Sequence, residues 1–152
     1  MLDYTVNKFE DLILEELYEI LKLRQEVFIV EQDCPYLDTD GKDQMSWHVC
    51  GRNEKGELLA YTRLVPPGIS YASYSSIGRV INSISIRGQG EGKRLMEYSI
   101  NSIMNIFSKN DIKISAQCYL KKFYNALGFI ELGEEYLEDN IPHIAMIRKN
   151  EM

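Results

Sequence analysis

No stretch of this chain approaches the roughly 18 consecutive apolar residues that a membrane-spanning helix needs. The opening MLDYTVNKFED also lacks the basic and apolar regions of a secretion signal, so a cytoplasmic protein without a membrane partner is expected. Basic charge is short as well: 17 Lys and Arg against 23 Asp and Glu leave a formal net charge of −6. Binding to a phosphate backbone needs a concentrated basic surface, so nucleic acid is not the expected partner. Cysteine is limited to Cys34, Cys50 and Cys118, an odd number without CxxC spacing, which offers neither a disulfide framework nor a zinc site. Reduced, packed thiols and no bound metal follow. Internal repeats, low-complexity segments and linkers are absent too, which leaves one domain over residues 1–152.

What is present is an ordinary globular composition, 45% hydrophobic and 26% charged, in a chain long enough to bury a core. The acids are unevenly placed. EQDCPYLDTDGKD carries Glu31, Asp33, Asp38, Asp40 and Asp43 against Lys42, and ELGEEYLED carries Glu131, Glu134, Glu135, Glu138 and Asp139 with no base. Such runs are commonly solvated faces. Lining a cleft, they would attract a cationic substrate.

Hydrophobic periodicity gives the element order. A short strand near residues 2–6 precedes an amphipathic helix over about residues 11–30, with Leu14, Leu17, Leu21 and Phe28 as its core face. Arg24 falls on that face and needs an acidic or carbonyl partner, so a structural ion pair is expected. Residues 31–46 read as a long loop. Strands over 47–52 and 57–65 are joined by Asn53-Glu54-Lys55-Gly56, a hairpin that Pro66-Pro67-Gly68 ends. SIGRVI, residues 76–81, reads as a buried strand running into a glycine loop and a helix with Met96, Ile100, Ile103 and Phe107 inward, ending near Lys109-Asn110. A strand over 112–116, a short helix carrying Leu120, Phe123 and Leu127, a stop at Gly128, and strands over 129–135 and 143–148 complete the chain. The class is α+β, a mixed central sheet with helices on both faces.

The stretch SISIRGQGEGKRLMEY places Gly88, Gly90 and Gly92 between a strand and a helix, with Arg87, Lys93 and Arg94 alongside. Free amides and the positive end of the helix dipole then meet at one spot, a ready site for phosphate. Two nucleotide motifs fail. Lys93 stands where GxGxxG needs its third glycine, and Arg94 replaces the Ser or Thr of GxxxxGK[ST], whose glycines are also one residue further apart.

RGQGEG, residues 87–92, fits the pattern [QR]xxGx[GA], and FYNALGF, residues 123–129, is a short helix ending in glycine. Together they resemble the GNAT superfamily of acyl-CoA-dependent N-acyltransferases. The similarity to its ElaA-like branch extends through LRQEVFIVEQDCPYLDTDGKD, IGRVI and AQCYLKKFYNALGFIELGEEYLEDNIPHIAMIR, nearly the whole chain. The resemblance implies a single-domain fold with two parallel strands that splay apart, here 76–81 and 112–116, and acetyl-CoA lying in the V between them. Backbone around Val80, Ile81 and Asn82 would pair with the pantetheine arm, and the amides of Gly88, Gln89, Gly90, Glu91, Gly92 and Lys93, with Arg87, would take the pyrophosphate. Tyr124 matches the tyrosine that protonates the departing thiolate. Gln117 stands where many relatives have an Asn that bonds the pantetheine arm.

The expected reaction is acetyl transfer to a small or peptidic amine, with no metal, in a chain whose sheet edges admit a homodimer. A proton acceptor is harder to name, because Ser76, Gly78 and Arg79 occupy the strand positions where relatives carry a base. An amine with a pKa near 10.4 must lose a proton before attack. Candidates are Glu31, Asp38, Asp40, His48 and His143, the last preferred because it enters the final strand. Cys118 is the rival nucleophile, without a His and acid pair near it in sequence. The other class of reading is a degenerate domain that binds CoA or a partner without turnover.

Overall fold

The computed structural model describes residues 1–108 and 110–150. Strands β1 (Asp3–Lys8), β2 (Trp47–Arg52), β3 (Leu58–Val65) and β4 (Ser76–Asn82) form an antiparallel sheet in that order. A second antiparallel sheet has the order β5 (Ile112–Gln117), β7 (Ile141–Arg148), β6 (Ile130–Glu138). Between them, β4 and β5 touch at one parallel bridge, Ser75 with Ile112. Ser75 donates its amide to Asp111 at 3.2 Å and accepts one from Lys113 at 2.9 Å. Beyond this hinge no ladder joins the strands among the described residues, so they open as a V.

Side-chain alternation decides which face each helix covers. On β3, Ala60 and Leu64 turn toward helix α2 (Glu91–Ile106) and pack with Leu95, Met96 and Ile103. Thr62 donates to Ser99 at 2.7 Å, and Ser99 donates on to the Leu95 carbonyl at 2.8 Å, tying strand to helix through satisfied hydroxyls. Tyr61 turns the other way, toward helix α1 (Leu14–Arg24), with Cys50 and Ile81. β5 alternates as cleanly: Ile112, Ile114 and Ala116 are buried, while Lys113, Ser115 and Gln117 face the opposite side. Helix α3 (Lys121–Ala126) follows β5 directly.

The first helix differs from its expected form. Leu14 is 86% exposed, and the buried stripe is Ile20, Leu23, Arg24 and Val27, which recur at the i, i+3, i+4, i+7 spacing of one helix face. A charged residue occupies that face because aspartates from the following loop neutralise it, while Leu17, Leu21 and Phe28 stay half-buried at its edge. The helix then widens into a π-helical segment, Gln25–Glu31, with Gln32 donating to Val27 and Cys34 to Ile29, both at 3.2 Å. The central helix stops at Ile106, and Lys109, expected near its end, lies outside the described residues.

The closing hairpin is longer than its expected strands. Asp139 and Asn140 sit at φ 52° and 62°, the left-handed pair of a two-residue turn, so β6 and β7 run right up to it. That turn brings Glu138 and His143 to the same end of the V. None of the helices among the described residues is long and apolar enough to cross a membrane.

Candidate functional site

The V between β4 and β5 is a cleft of about 660 Å³, lined on one wall by residues 76–82 and on the other by Ile114, Ser115 and Gln117. Its first wall is shaped by a bulge. Tyr61 pairs with Ile81 and Arg63 with Gly78, so two residues of β4, Arg79 and Val80, stand opposite Thr62 alone. Arg79 takes φ 51°, unusual for a branchless but bulky side chain, at a cost of order 1–3 kcal/mol. Its guanidinium holds it there, bonding Asp38 Oδ1 at 2.7 Å and the Asp38 carbonyl at 2.9 Å, with Tyr36 stacked beneath at 5.9 Å. Backbone groups at the bulge are thereby released from the ladder beside Ile81 and Asn82.

At the far end of this wall lies the glycine loop. Gly88 and Gly90 have φ near 80°, open to glycine and strained for other residues, and Gly90 caps α2 without any side-chain hydrogen bond. The first-turn amides of α2 are therefore free to face an anion. Gly92 is closely approached instead, since a Cβ there would come within 3.2 Å of Asn82 Nδ2. Arg87 spans the rim, donating to the Asn82 carbonyl at 2.8 Å and pairing with Glu31 at 2.7 Å. Lys93 is exposed. Gln89 and Glu91 face a smaller depression of about 380 Å³ instead, which leaves their backbone amides as their contribution to the loop. Glu91 is fixed by Tyr4 and Arg94, both at 2.7 Å; burial opposes its charge, but these bonds hold it below the usual carboxylate range. Arg94 is thereby turned away from the loop.

Beneath the cleft, three arginines and three aspartates interlock. Arg24, with no exposed surface, bonds Asp38 and Asp43, each at 2.7 Å; Arg63 bonds Asp40 at 2.8 Å and Asp43 at 3.0 Å; Arg79 completes the ring through Asp38. Burial pushes Asp40 and Asp43 toward neutrality, yet the arginine hydrogen bonds win and hold both well below the ordinary value. Carboxylates so committed are poor proton acceptors, which removes Asp40 from the candidate bases, and Asp38 is engaged by two arginines. Glu31 is bound to Arg87. His48 is 1% exposed, with Nε2–H donating to the Asp43 carbonyl at 2.9 Å and Nδ1 accepting from Tyr61 at 2.6 Å; burial depresses its pKa and keeps it neutral. It is a core residue.

Tyr124 and His143 both line the cleft. The Tyr124 ring packs edge-on against Phe123 and Phe129, its hydroxyl has no hydrogen-bond partner among the described residues, and burial pushes it up to about 12. It stays a protonated donor. Gln117 also lines the cleft and is the register partner of His143. The His143 ring is buried, donates from Nδ1 to the Ile141 carbonyl at 2.7 Å and stacks on Tyr136. Cys118 is not part of the lining, and burial with the Glu135 carboxylate pushes its thiol up, away from nucleophilic character.

Glu138 and Ser115, which periodicity did not single out, join His143 in the cleft wall. Their signal was available: Tyr136 and Glu138, like Ser115 and Gln117, are spaced by two and so share one face of a strand.

The family model described as an acetyltransferase (GNAT) domain matches residues 44–149. Protein ElaA of Escherichia coli is 37% identical over 152 residues, covering 98% of this chain and 97% of that protein. The crystal structure of ElaA superposes with a TM-score of 0.91 at 36% identity, over 98% of this chain and 100% of that one. An acyl-CoA N-acyltransferase from Pseudomonas aeruginosa reaches a TM-score of 0.92 at 43% identity, over 97% and 99% of the two chains.

Proposed function

The chain belongs to the GNAT acetyltransferase family, and from that premise we propose that it moves an acetyl group from acetyl-CoA to a primary amine by direct attack in a ternary complex. The observation that carries this reading is the opening of β4 from β5, with released backbone on one wall and uncapped helix amides at its end. An extended pantetheine arm can pair with backbone at Val80, Ile81 and Asn82 much as an added strand would. The pyrophosphate suits the amides of residues 88–93, and Arg87 can exchange Glu31 for it.

In this reading Tyr124 touches the departing sulfur and His143 takes the proton of the incoming amine. A backbone amide at the bulge polarises the thioester carbonyl, which gains charge as the amine attacks. Cys118 forms no acyl intermediate, so Cys118→Ala should retain wild-type turnover; abolished activity with an intact fold would overturn direct attack.

Calorimetric titration with acetyl-CoA, followed by free-thiol release across a panel of amines, tests the whole. Saturable binding with thiol release dependent on amine is the expected result. Binding without turnover on any amine favours the module that holds CoA or a partner without chemistry, a reading to which the arginine at position 79 of the wall lends some weight. No binding sinks both. Gly90→Val is expected to weaken acetyl-CoA binding about tenfold, because a β-branched residue at φ 80° costs roughly 1–2 kcal/mol and shifts the amides that precede α2.

A further inference from the structure

A carboxylate stands where the proposed guest is an anion. Glu91 is the first residue of α2, directly after Gly90, among the amides offered to the pyrophosphate. It is 7% exposed, and three bonds keep it ionised: Tyr4 Oη donates to it at 2.7 Å, and Arg94 Nη1 donates to Oε1 at 2.7 Å and to Oε2 at 3.1 Å. Such a charge suits the helix itself, since it complements the positive end of the dipole. For the same reason it competes with a phosphate drawn to those amides.

Arg94 removes the competition. It sits three residues along the helix from Glu91, and its other contacts fix it there. Nη2 donates to the Leu2 carbonyl at 3.3 Å, and the guanidinium lies 5.3 Å from the centre of the Tyr4 ring, which stacks on Tyr98 at 5.4 Å. Tyr4 is in turn seated on Gly51, where a Cβ would come within 2.8 Å of the ring. Strands β1 and β2 therefore hold the ion pair in place. Neither Glu91 nor Arg94 lines the cleft, and Glu91 opens on the smaller depression beside the glycine loop. The pair reaches the pyrophosphate position through its field alone. Of the loop's other cations, Arg87 is matched by Glu31, and Lys93 is exposed, where solvent screens it.

We infer that Arg94 is a positioning residue for the donor, acting through Glu91: it neutralises that carboxylate and so keeps the amides at the start of α2 available to the CoA pyrophosphate, which it does not touch. This rests on the reading of the cleft as an acetyl-CoA site. The Arg94 side chain is 39% exposed, so water and salt weaken its field and the effect is several-fold.

Wild type, Arg94→Met, Glu91→Gln and the double variant test it. In low salt, Arg94→Met should weaken acetyl-CoA binding about fivefold by calorimetry, Glu91→Gln should tighten it by about the same factor, and the double variant should return to within about twofold of wild type. These differences should shrink at about 0.5 M salt. S-acetylpantetheine, which keeps the thioester and arm but has no phosphate, should bind all four alike. Removing an exposed cation on α1, in Lys22→Met, should leave acetyl-CoA affinity unchanged. Gln fills the space of Glu and its amide oxygen still accepts from Arg94 and Tyr4, so the tightening in Glu91→Gln can be read even where Arg94→Met fails to fold. A tie between β1 and α2 that matters only for folding gives another pattern: both single variants weaken binding or neither does, the two ligands respond together, and salt has no effect. Any of those results would overturn the inference while the donor site stands. A wild type that does not bind acetyl-CoA would instead overturn the acetyl-transfer reading beneath it.

Discussion

Arg24→Ala is expected to lower the free energy of unfolding by about 3–5 kcal/mol, because it strips the fully buried cation from the network and leaves three aspartates to two arginines. Arg24 has no exposed surface and two carboxylates at 2.7 Å. For a domain of this size that corresponds to a fall in Tm of roughly 6–20 °C. The loss should be reduced when Asp43→Asn accompanies Arg24→Met, since the double variant removes charge and counter-charge together. Urea denaturation of wild type, Arg24→Ala and the double variant measures it, and a cost below about 1 kcal/mol for Arg24→Ala would show the network to be replaceable.

Acid adds a second signature. Burial works against ionisation of Asp43 and Asp40, but their arginine hydrogen bonds hold both native pKa values below the unfolded value of about 3.9. Their stabilisation is therefore complete above that unfolded value and is lost as pH falls through the lowered native one. The gap between wild type and Arg24→Ala should shrink below about pH 4. The same acids that suggested an attractive loop for a cation thus serve to lock β4, through Arg79, into the bulge that forms the cleft wall.

Local chemistry was readable where the backbone itself demanded a residue. The glycine loop and the hairpin at Asn53 to Gly56 rest on turn geometry and two-residue alternation, the splayed strand pair on the family resemblance, and each appears at its expected place. Arg24 could be recognised as an ion-paired residue because a lone cation on an apolar helix face has few alternatives. Its partners could not, since Asp38 and Asp43 reach it through a loop whose path is set by tertiary packing. Leu14 misled for a related reason: leucine spacing marks a helix, but which face is buried depends on what the sheet offers. Asp139 and Asn140 were the missed clue. Read as a left-handed pair, they fix the last hairpin and bring Tyr136, Glu138 and His143 within one wall.

Tyr124→Phe is expected to lower kcat by about 10²-fold, the scale on which a preorganised donor stabilises developing charge. Stability should hardly change, because the ring keeps its contacts with Phe123 and Phe129 and the hydroxyl gives up no partner among the described residues. The raised pKa, about 12, narrows what this hydroxyl can do. It remains protonated throughout the working range, so no limb of the pH–rate profile should belong to it below about pH 11. Against an ordinary thiol near 8.5, complete transfer of its proton to sulfur runs uphill. In the proposed reaction Tyr124 would therefore act first as a hydrogen-bond donor that disperses charge on the leaving sulfur, and the proton that finally rests there would come from the attacking nitrogen. Stopped-flow measurement of thiol release with thioesters of differing leaving-group pKa separates the two roles. A hydrogen-bond donor gives Tyr124→Phe a deficit that grows as the leaving thiolate becomes more basic. A deficit independent of the leaving group would assign the tyrosine to packing the cleft wall.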